Sequence, residues 1–384
     1  MRIIYPLPEI IPDGRARFIQ IMNTTHALSK AGVKTHLLAG RKRGKTLEDI
    51  KRFYHLPEDE GPDIEFLPIL RKNIPLLSVS WGGVFEFFLF RYIRKQRGIL
   101  FVRHPKLAFS LLKRRHVHKL PLIFEAHEIF SLSAKDPVKQ KRLSEMERFI
   151  YTNADGVITI STKLKEDLAD IFGLRPERAS VIPNAIRDDW LSPDPAESQR
   201  EGMYIFYAGS LYRWKGVDTL LDAIKLLPDE ELIIAGGGAR LQELKRYAKA
   251  SGISHRVNFV GTIPQREVMR YLERAKAAVV PNLEHKPSEY SSPLKLFEFM
   301  GAGIPVVASD LPGIRDVVRD KEEALLFRPG DPRDLAEKIE CLSRNPSLSK
   351  SIGSMARKRA EDFTYSKRAE KIIGFIRELN LTDF

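Results

Sequence analysis

A few short stretches of this chain hold side chains able to do chemistry. In Ser291-Ser-Pro-Leu-Lys-Leu-Phe-Glu-Phe-Met300, Ser292 precedes a proline and a helix-forming run, so it can cap a helix that begins at Pro293. Such a helix end presents free N–H groups and a positive dipole, which suits a diphosphate. Lys215, in Arg213-Trp-Lys-Gly216, follows an apolar run and precedes a helical pattern. It can bring mobile positive charge to the same place, with Arg213 beside it, or stand as an ordinary solvated lysine. Glu298 lies among Leu294, Leu296, Phe297, Phe299 and Met300. A carboxylate there either pairs with Lys295, three residues back, or is a ligand group. Gly236–Gly238 read by themselves as a tight turn. His127 ends the apolar run that includes Phe124-Glu-Ala, at a strand's carboxyl end, where it either polarises a reacting centre or hydrogen-bonds loop backbone. Gly14 permits close backbone approach, and Arg15 and Arg17 beside it either meet an anionic group or form a solvated basic turn. Asn184, in Val-Ile-Pro-Asn, is a turn residue or a ligand contact.

Short strand-type runs alternate with amphipathic helical stretches along nearly the whole chain. Strands are expected at Arg2–Tyr5, Thr35–Ala39, Ile64–Leu67, Ile99–Arg103, Leu122–Ala126 and Val157–Ile160 in the first half. In the second half they are expected at Met203–Ala208, Leu232–Ala235, Val257–Val260, Ala277–Val280, Val306–Ser309 and Ala324–Phe327. Helices are expected at Ala16–Ala31, Val138–Thr152 and Thr162–Phe172, among others. Continuous apolar strands argue for sheets covered on both faces, and strand–helix alternation argues for parallel pairing. The pattern restarts once, after a proline-rich and charged stretch without periodicity. The expected organisation is α/β: a doubly wound domain over 1–185, a linker over 186–202 and a second doubly wound domain over 203–364. Residues 365–384 form a last helix that can cross back to the first domain. Two such domains would face each other across a cleft, with ligands at the carboxyl ends of the strands.

Composition removes several classes. Lys and Arg number 63 against 50 Asp and Glu, a net charge of +13. Residues 1–185 hold 32 basic and 20 acidic side chains, so 32 − 20 = +12 of that excess lies in the first half. Cys341 is the single cysteine, which excludes an intrachain disulfide or a cysteine metal cluster and suits a reducing compartment. No secretory leader is expected from MRIIYPLPEI. The longest uncharged apolar stretch, Ile74–Phe85, is shorter than the ~20 residues that a spanning helix needs.

Three segments in order, Tyr207–Asp218, Leu232–Gly238 and Ser291–Asp310, resemble the donor half of GT-B glycosyltransferases in the large retaining group 1 family (family 4). The resemblance covers nearly the whole chain. It implies a GT-B fold, with residues 1–185 receiving an acceptor and 203–364 a donor. The activity implied is transfer of a sugar from a nucleotide diphosphate sugar, a UDP- or GDP-sugar, with retention at the anomeric carbon and with no metal and no cofactor. It further implies His127, Lys215 and Glu298 as catalytic residues, Glu298 meeting the donor ribose. Donor contacts are implied for Gly209, Ser210, Arg213, Gly261, Thr262, Glu289, Tyr290, Ser291, Ser292, Pro293, Leu294 and Lys295, and the acceptor loop for Gly14 and Arg15. A donor phosphate oxygen is then expected to take the acceptor proton. Two positions depart from the family's pattern. Its first glutamate falls on Tyr290, with Glu289 one place out of register, and Ser210 stands where an arginine is common. No Asp-x-Asp pair occurs, as metal-dependent glycosyltransferases of the other main fold would carry.

The basic first half has clusters at Arg41–Lys45, Arg91–Arg97, Lys113–Lys119 and Lys135–Arg142. Before the second lies Trp81–Phe90. Phe85, Phe88, Leu89, Tyr92 and Ile93 form one helical stripe there, and Phe87 and Phe90 exceed what a buried face requires. Apolar residues followed by a basic helix end fit an interfacial segment on anionic lipid, on the cytoplasmic face of a membrane, and hence a lipid-linked or oligosaccharide acceptor. The alternative is a buried helix with a solvated end. A nucleic-acid partner is not expected, since neither zinc spacing nor a known nucleic-acid motif occurs. Two other readings stay open: another GT-B enzyme such as a nucleotide-sugar epimerase, and a non-catalytic basic binding module.

Overall fold

The computed structural model describes residues 1–57, 60–69, 81–191 and 202–382. Residues 70–80, which include the first part of the apolar stretch noted above, and 192–201 of the expected linker lie outside them. The chain divides into two compact units, Met1–Pro183 with Tyr365–Phe384, and Asn184–Thr364.

The first unit is built on a seven-stranded parallel sheet. Its strands are β1 (Arg2–Ile11), β2 (Lys34–Arg41), β3 (Asp63–Phe66), β4 (Ile99–Val102), β5 (Leu122–Ala126), β6 (Gly156–Thr159) and β7 (Ala179–Val181), in the order β3-β2-β1-β4-β5-β6-β7. β4, β5 and β6 are buried at every position, as their unbroken apolar sequences require. β1 runs six residues beyond the expected Tyr5, through Pro6 and Pro8. It pairs with β4 only at Ile3 and Ile4, so beyond them one side of β1 is free of that partner and a missing proline N–H is tolerated. The helix Thr162–Phe172 shows how sequence sets the ends: Ser161 Oγ accepts from Leu164 N–H (3.3 Å), and Gly173 at φ 74° closes it. The last helix, Tyr365–Glu378, packs on the helix Ala16–Lys30 and buries Ile372, Phe375 and Ile376 in this unit.

The second unit carries a six-stranded parallel sheet: β8 (Tyr204–Ala208), β9 (Leu232–Ala235), β10 (Val257–Gly261), β11 (Ala275–Val280), β12 (Val306–Ser309) and β13 (Leu325–Phe327). The order is β10-β9-β8-β11-β12-β13. In both sheets the direction of winding reverses once, between β1 and β4 and between β8 and β11. At such points a doubly wound sheet opens a crevice at its strand ends. The linker expected over 186–202 is shorter at its start. Ile186 N–H donates to Phe363 O (2.8 Å), and Ile186, Trp190 and Leu191 pack into the second unit's core, so their apolar side chains are held rather than exposed.

Candidate functional site

The second unit's strand ends are stitched together by glycine backbone. Gly209 N–H donates to Ala235 O (2.8 Å), Gly236 N–H to Gly261 O (2.7 Å) and Leu211 N–H to Gly237 O (3.0 Å). A methyl on Gly236 would sit 1.8 Å from Gly209 O, and one on Gly237 would sit 2.6 Å from Thr262 Oγ1. Gly209 (φ 142°) and Gly261 (φ 76°) adopt backbone that other residues avoid. Gly216 is as constrained, since its methyl would lie 1.7 Å from Pro281 O. That contact, with Leu283 N–H donating to Trp214 O (2.9 Å), locks the loop after β8 to the loop after β11, on either side of the winding reversal.

Two lysines lie close to this crevice. Lys215 is half-buried in the turn Arg213–Lys215, with its Nζ 3.6 Å from the Trp214 ring centroid, and burial lowers its pKa to about 7. Lys295 is buried, and its Nζ lies 3.8 Å from the Tyr207 ring centroid and without a hydrogen-bond partner among the described residues. A methyl on Gly209 would lie 2.9 Å from that Nζ, so the lysine ends directly beneath the glycine loop. Burial first, and then the charge of Lys215, push the Lys295 pKa well down, against the pull of Glu298. Lys295 does not pair with Glu298. The glutamate, half-buried, accepts instead from Gln265 Nε2, and burial raises its pKa.

The segment before Glu298 differs from expectation at one residue. The helix spans Leu294–Gly301 with Pro293 at its cap position, and Ser292 caps nothing. Ser292 Oγ accepts from Asn184 N–H (3.0 Å), while Asn184 Nδ2 donates to Ser292 O (2.6 Å). With the helix beginning one residue later than expected, Ser292 stands one position before the cap, and its Oγ is taken by the Asn184 N–H. Asn184 is thus a brace for the loop. Ser291 and Leu294 are half-buried, and a methyl on Gly313 would lie 2.4 Å from Ser291 O. Glu289 pairs with Lys286 (3.1 Å), and Tyr290 is 1% exposed. Ser210 O accepts from Tyr207 Oη (3.0 Å), and Arg213 is exposed. Asn282 and Ser288 were not singled out from sequence. Both are buried, and both Asn282 amide atoms and Ser288 Oγ lack a partner among the described residues. Asn282's place just beyond a strand end was the available signal; Ser288 gave none.

In the first unit a cavity of about 500 Å³ opens at the β1/β4 reversal. His127, just past β5, lines it. Its Nε2 lies 3.4 Å from Glu125 Oε1, an oxygen that also accepts from Gln20 Nε2 (2.9 Å) and from Arg368 Nη2 of the last helix. Burial and then Arg103 lower the imidazole pKa to about 4, against Glu125, so His127 is neutral at pH 7. Burial opposes the charge of Glu125, but His127, Arg368 and Arg103 outweigh it and hold the carboxyl well below its usual range. Of these only the two guanidinium groups are charged at neutral pH, and they keep Glu125 ionised. Arg17 also lines the cavity and pairs with Glu9. Gly14 and Arg15 do not line it: Gly14 is exposed, and the Arg15 guanidinium is held by Asp13 (2.6 Å). Phe88, assigned to a buried stripe, is 37% exposed beside Phe87 at 65%; Phe85, Leu89 and Ile93, at spacings of four, suffice for the core. Among the described residues no group of three His, Cys, Asp or Glu is placed to hold a metal, and no helix is long and apolar enough to cross a membrane.

Comparison with known proteins agrees with both units. Residues 19–190 match the profile of glycosyltransferase family 4, and residues 189–359 that of the glycosyl transferases group 1. An uncharacterised glycosyltransferase of Methanocaldococcus jannaschii is 26% identical over 334 residues, 84% of this chain and 88% of the relative. The D-inositol 3-phosphate glycosyltransferase of Corynebacterium diphtheriae is 23% identical over 67% of this chain, which spans 65% of that relative's length. Among solved structures, Anabaena HepE in complex with UDP superposes with a TM-score of 0.75 at 17% identity, over 98% of this chain and all of that one. Sucrose-phosphate synthase from Thermosynechococcus elongatus gives 0.77 at 19%, over 99% of both chains. At these identities the likeness shows the fold.

Proposed function

The chain belongs to the group 1 glycosyltransferases (family 4), with a GT-B-type α/β fold, and on that premise we propose that it moves a sugar from a nucleotide diphosphate sugar to an acceptor with retention of configuration. The observation that carries this reading is the pair Lys215 and Lys295. Two ammonium groups stand at the winding reversal of the second unit without an ion pair among the described residues, against glycine loops that admit a ligand to the backbone. A diphosphate supplies the charge they lack. In this reading the lysines and exposed amides neutralise the leaving group, and no divalent ion is needed. Glu298, turned toward Gln265, accepts from the donor ribose. The anomeric carbon–phosphate oxygen bond breaks as the acceptor oxygen attacks from the same face, and the departing phosphate oxygen takes the acceptor proton. His127, neutral, orients the reacting sugar by hydrogen bonding. UDP is the first nucleotide to try, because HepE was crystallised with it.

The acceptor in this reading is a lipid-linked or cell-envelope glycan, met at the cytoplasmic face of a membrane. Exposed Phe87 and Phe88, followed by exposed Arg91, Arg94, Lys95 and Arg97, support peripheral contact with anionic lipid. The test is nucleotide binding and sugar release. UDP or GDP should raise the melting temperature of the wild type. Lys215→Ala and Glu298→Ala should each lower kcat/KM by about 10²-fold or more with the unliganded melting temperature kept. Full activity in both variants, or activity lost to EDTA and restored by manganese, sinks the reading.

A further inference from the structure

The first unit's cavity holds a cation that the mechanism above does not use. Arg103 stands immediately past β4, at the winding reversal, and is half-buried. Its Nη1 donates to Gln20 Oε1 (2.7 Å), a neutral partner, and it forms no ion pair among the described residues. The buried carboxylate nearby, Glu125, is already bound by Arg368, which reaches it from the last helix with further bonds to Thr24 Oγ1 (3.3 Å) and Ile182 O (2.7 Å). Glu9, on the same wall, is committed to Arg17. Lys106 and Lys139 line the cavity too, exposed and in no ion pair among the described residues. Four cations (Arg17, Arg103, Lys106, Lys139) and two carboxylates (Glu9, Glu128) therefore face the space, 4 − 2 = +2. A half-buried guanidinium that shares its one buried carboxylate, Glu125, with Arg368 and makes no direct ion pair of its own is costly to keep unless an anion completes it, and its planar fork matches the two oxygens of a carboxylate or phosphate. Most of the remaining lining is apolar, including Leu7, Phe130 and Met146, with Tyr5, His104, His127 and Ser133 among it.

We propose that this cavity selects an acceptor bearing a negative group, a phosphate or a carboxylate, which Arg103 grips while the ring or chain that carries it lies on the apolar wall beside His127. The proposal rests on the first unit being the acceptor-binding part of a glycosyltransferase. It makes Arg103 a determinant of acceptor choice, and it leaves Gln20 to hold the guanidinium in register.

Three probes of equal ring size decide it: glucose, glucose 6-phosphate and glucuronate, titrated by calorimetry into the full chain at low and moderate salt. The two anions should bind at least about tenfold more tightly than glucose, with affinity falling as salt rises. The tighter of the two names the anion's source, phosphate or carboxylate. In Arg103→Gln the preference for anions should vanish while the UDP-induced rise in melting temperature is retained. Arg103→Lys, which keeps charge without the fork, should recover only part of it and serves if the glutamine variant fails to fold. Glucose binding as tightly as both anions, or an unchanged preference in either variant, overturns the proposal. Absence of any UDP or GDP shift in the wild type instead overturns the donor reading, whatever the sugars do.

Discussion

At the residue scale the proposed donor site rests on two ammonium groups that burial makes reluctant to carry charge. The Lys215 pKa is depressed to about 7, and that of Lys295 is also depressed. A diphosphate favours the protonated lysines, so donor binding takes up protons from solution at neutral pH and above. UDP affinity should therefore fall as pH rises beyond about 7, where a terminal phosphate with pKa about 6 is already ionised. Calorimetry from pH 6 to 9 in two buffers of different ionisation heat reads both the affinity and the protons; a flat profile with no uptake rejects the assignment. The linked effect on stability has the opposite sense. A lysine whose folded pKa lies below its unfolded value binds fewer protons folded, so its cost is full below pH about 7 and fades as pH rises toward the ordinary lysine value. Lys215 and Glu298 were legible as chemistry because each stands just past an apolar run or within one. Arg103 was not, because a lone arginine after a strand looks like any solvated cation until its neighbours show that the nearby carboxylate, Glu125, is already bound by Arg368.

At the element scale the glycine turns do the positioning. Gly236→Ala would drive a methyl into Gly209 O, a backbone atom with nowhere to go, so the two loops must part. It should abolish the UDP-induced rise in melting temperature. Gly252→Ala is the control: at φ 73° with open space around it, it should cost about 1–2 kcal/mol from backbone strain and leave UDP binding unchanged. Equal UDP shifts in both variants would show that the loop contact does not matter. The parallel strands were readable from continuous apolar runs, which only a sheet covered on both faces tolerates. Their ends were less so. β1 continues through two prolines because it has a single partner there, and the cap expected of Ser292 is displaced by Pro293. Both outcomes depend on neighbours distant in sequence.

At the scale of the whole molecule the charge asymmetry has a measurable consequence. Of the net +13, residues 1–185 hold +12, and the exposed Phe87–Phe88 edge lies beside part of it. Vesicles containing anionic lipid should retain the protein in flotation and neutral vesicles should not, with each Lys or Arg near the surface contributing about 1 kcal/mol. Phe87→Ser with Phe88→Ser should release it without altering UDP binding; equal retention on both vesicle types speaks against membrane contact. The discontinuous build of the first unit was suggested by a terminal helix with no strand left to serve, but its chemical reason was hidden in Arg368, 243 residues from the Glu125 that it grips. Removing Arg368 alone, as in Arg368→Met, strands a buried carboxylate and should cost about 3–5 kcal/mol in denaturant unfolding. Adding Glu125→Gln should recover part of that loss, and a fully additive pair would deny the coupling.

That same reach sets an order of events during synthesis. A nascent chain can make β1 to β7 early, yet the carboxylate beside His127 has no guanidinium from residue 368 until 181 further residues, 184 to 364, have left the ribosome. The first half to be translated is thus among the last to become competent, and a chain halted before its final helix would release a histidine pocket whose charge is unbalanced.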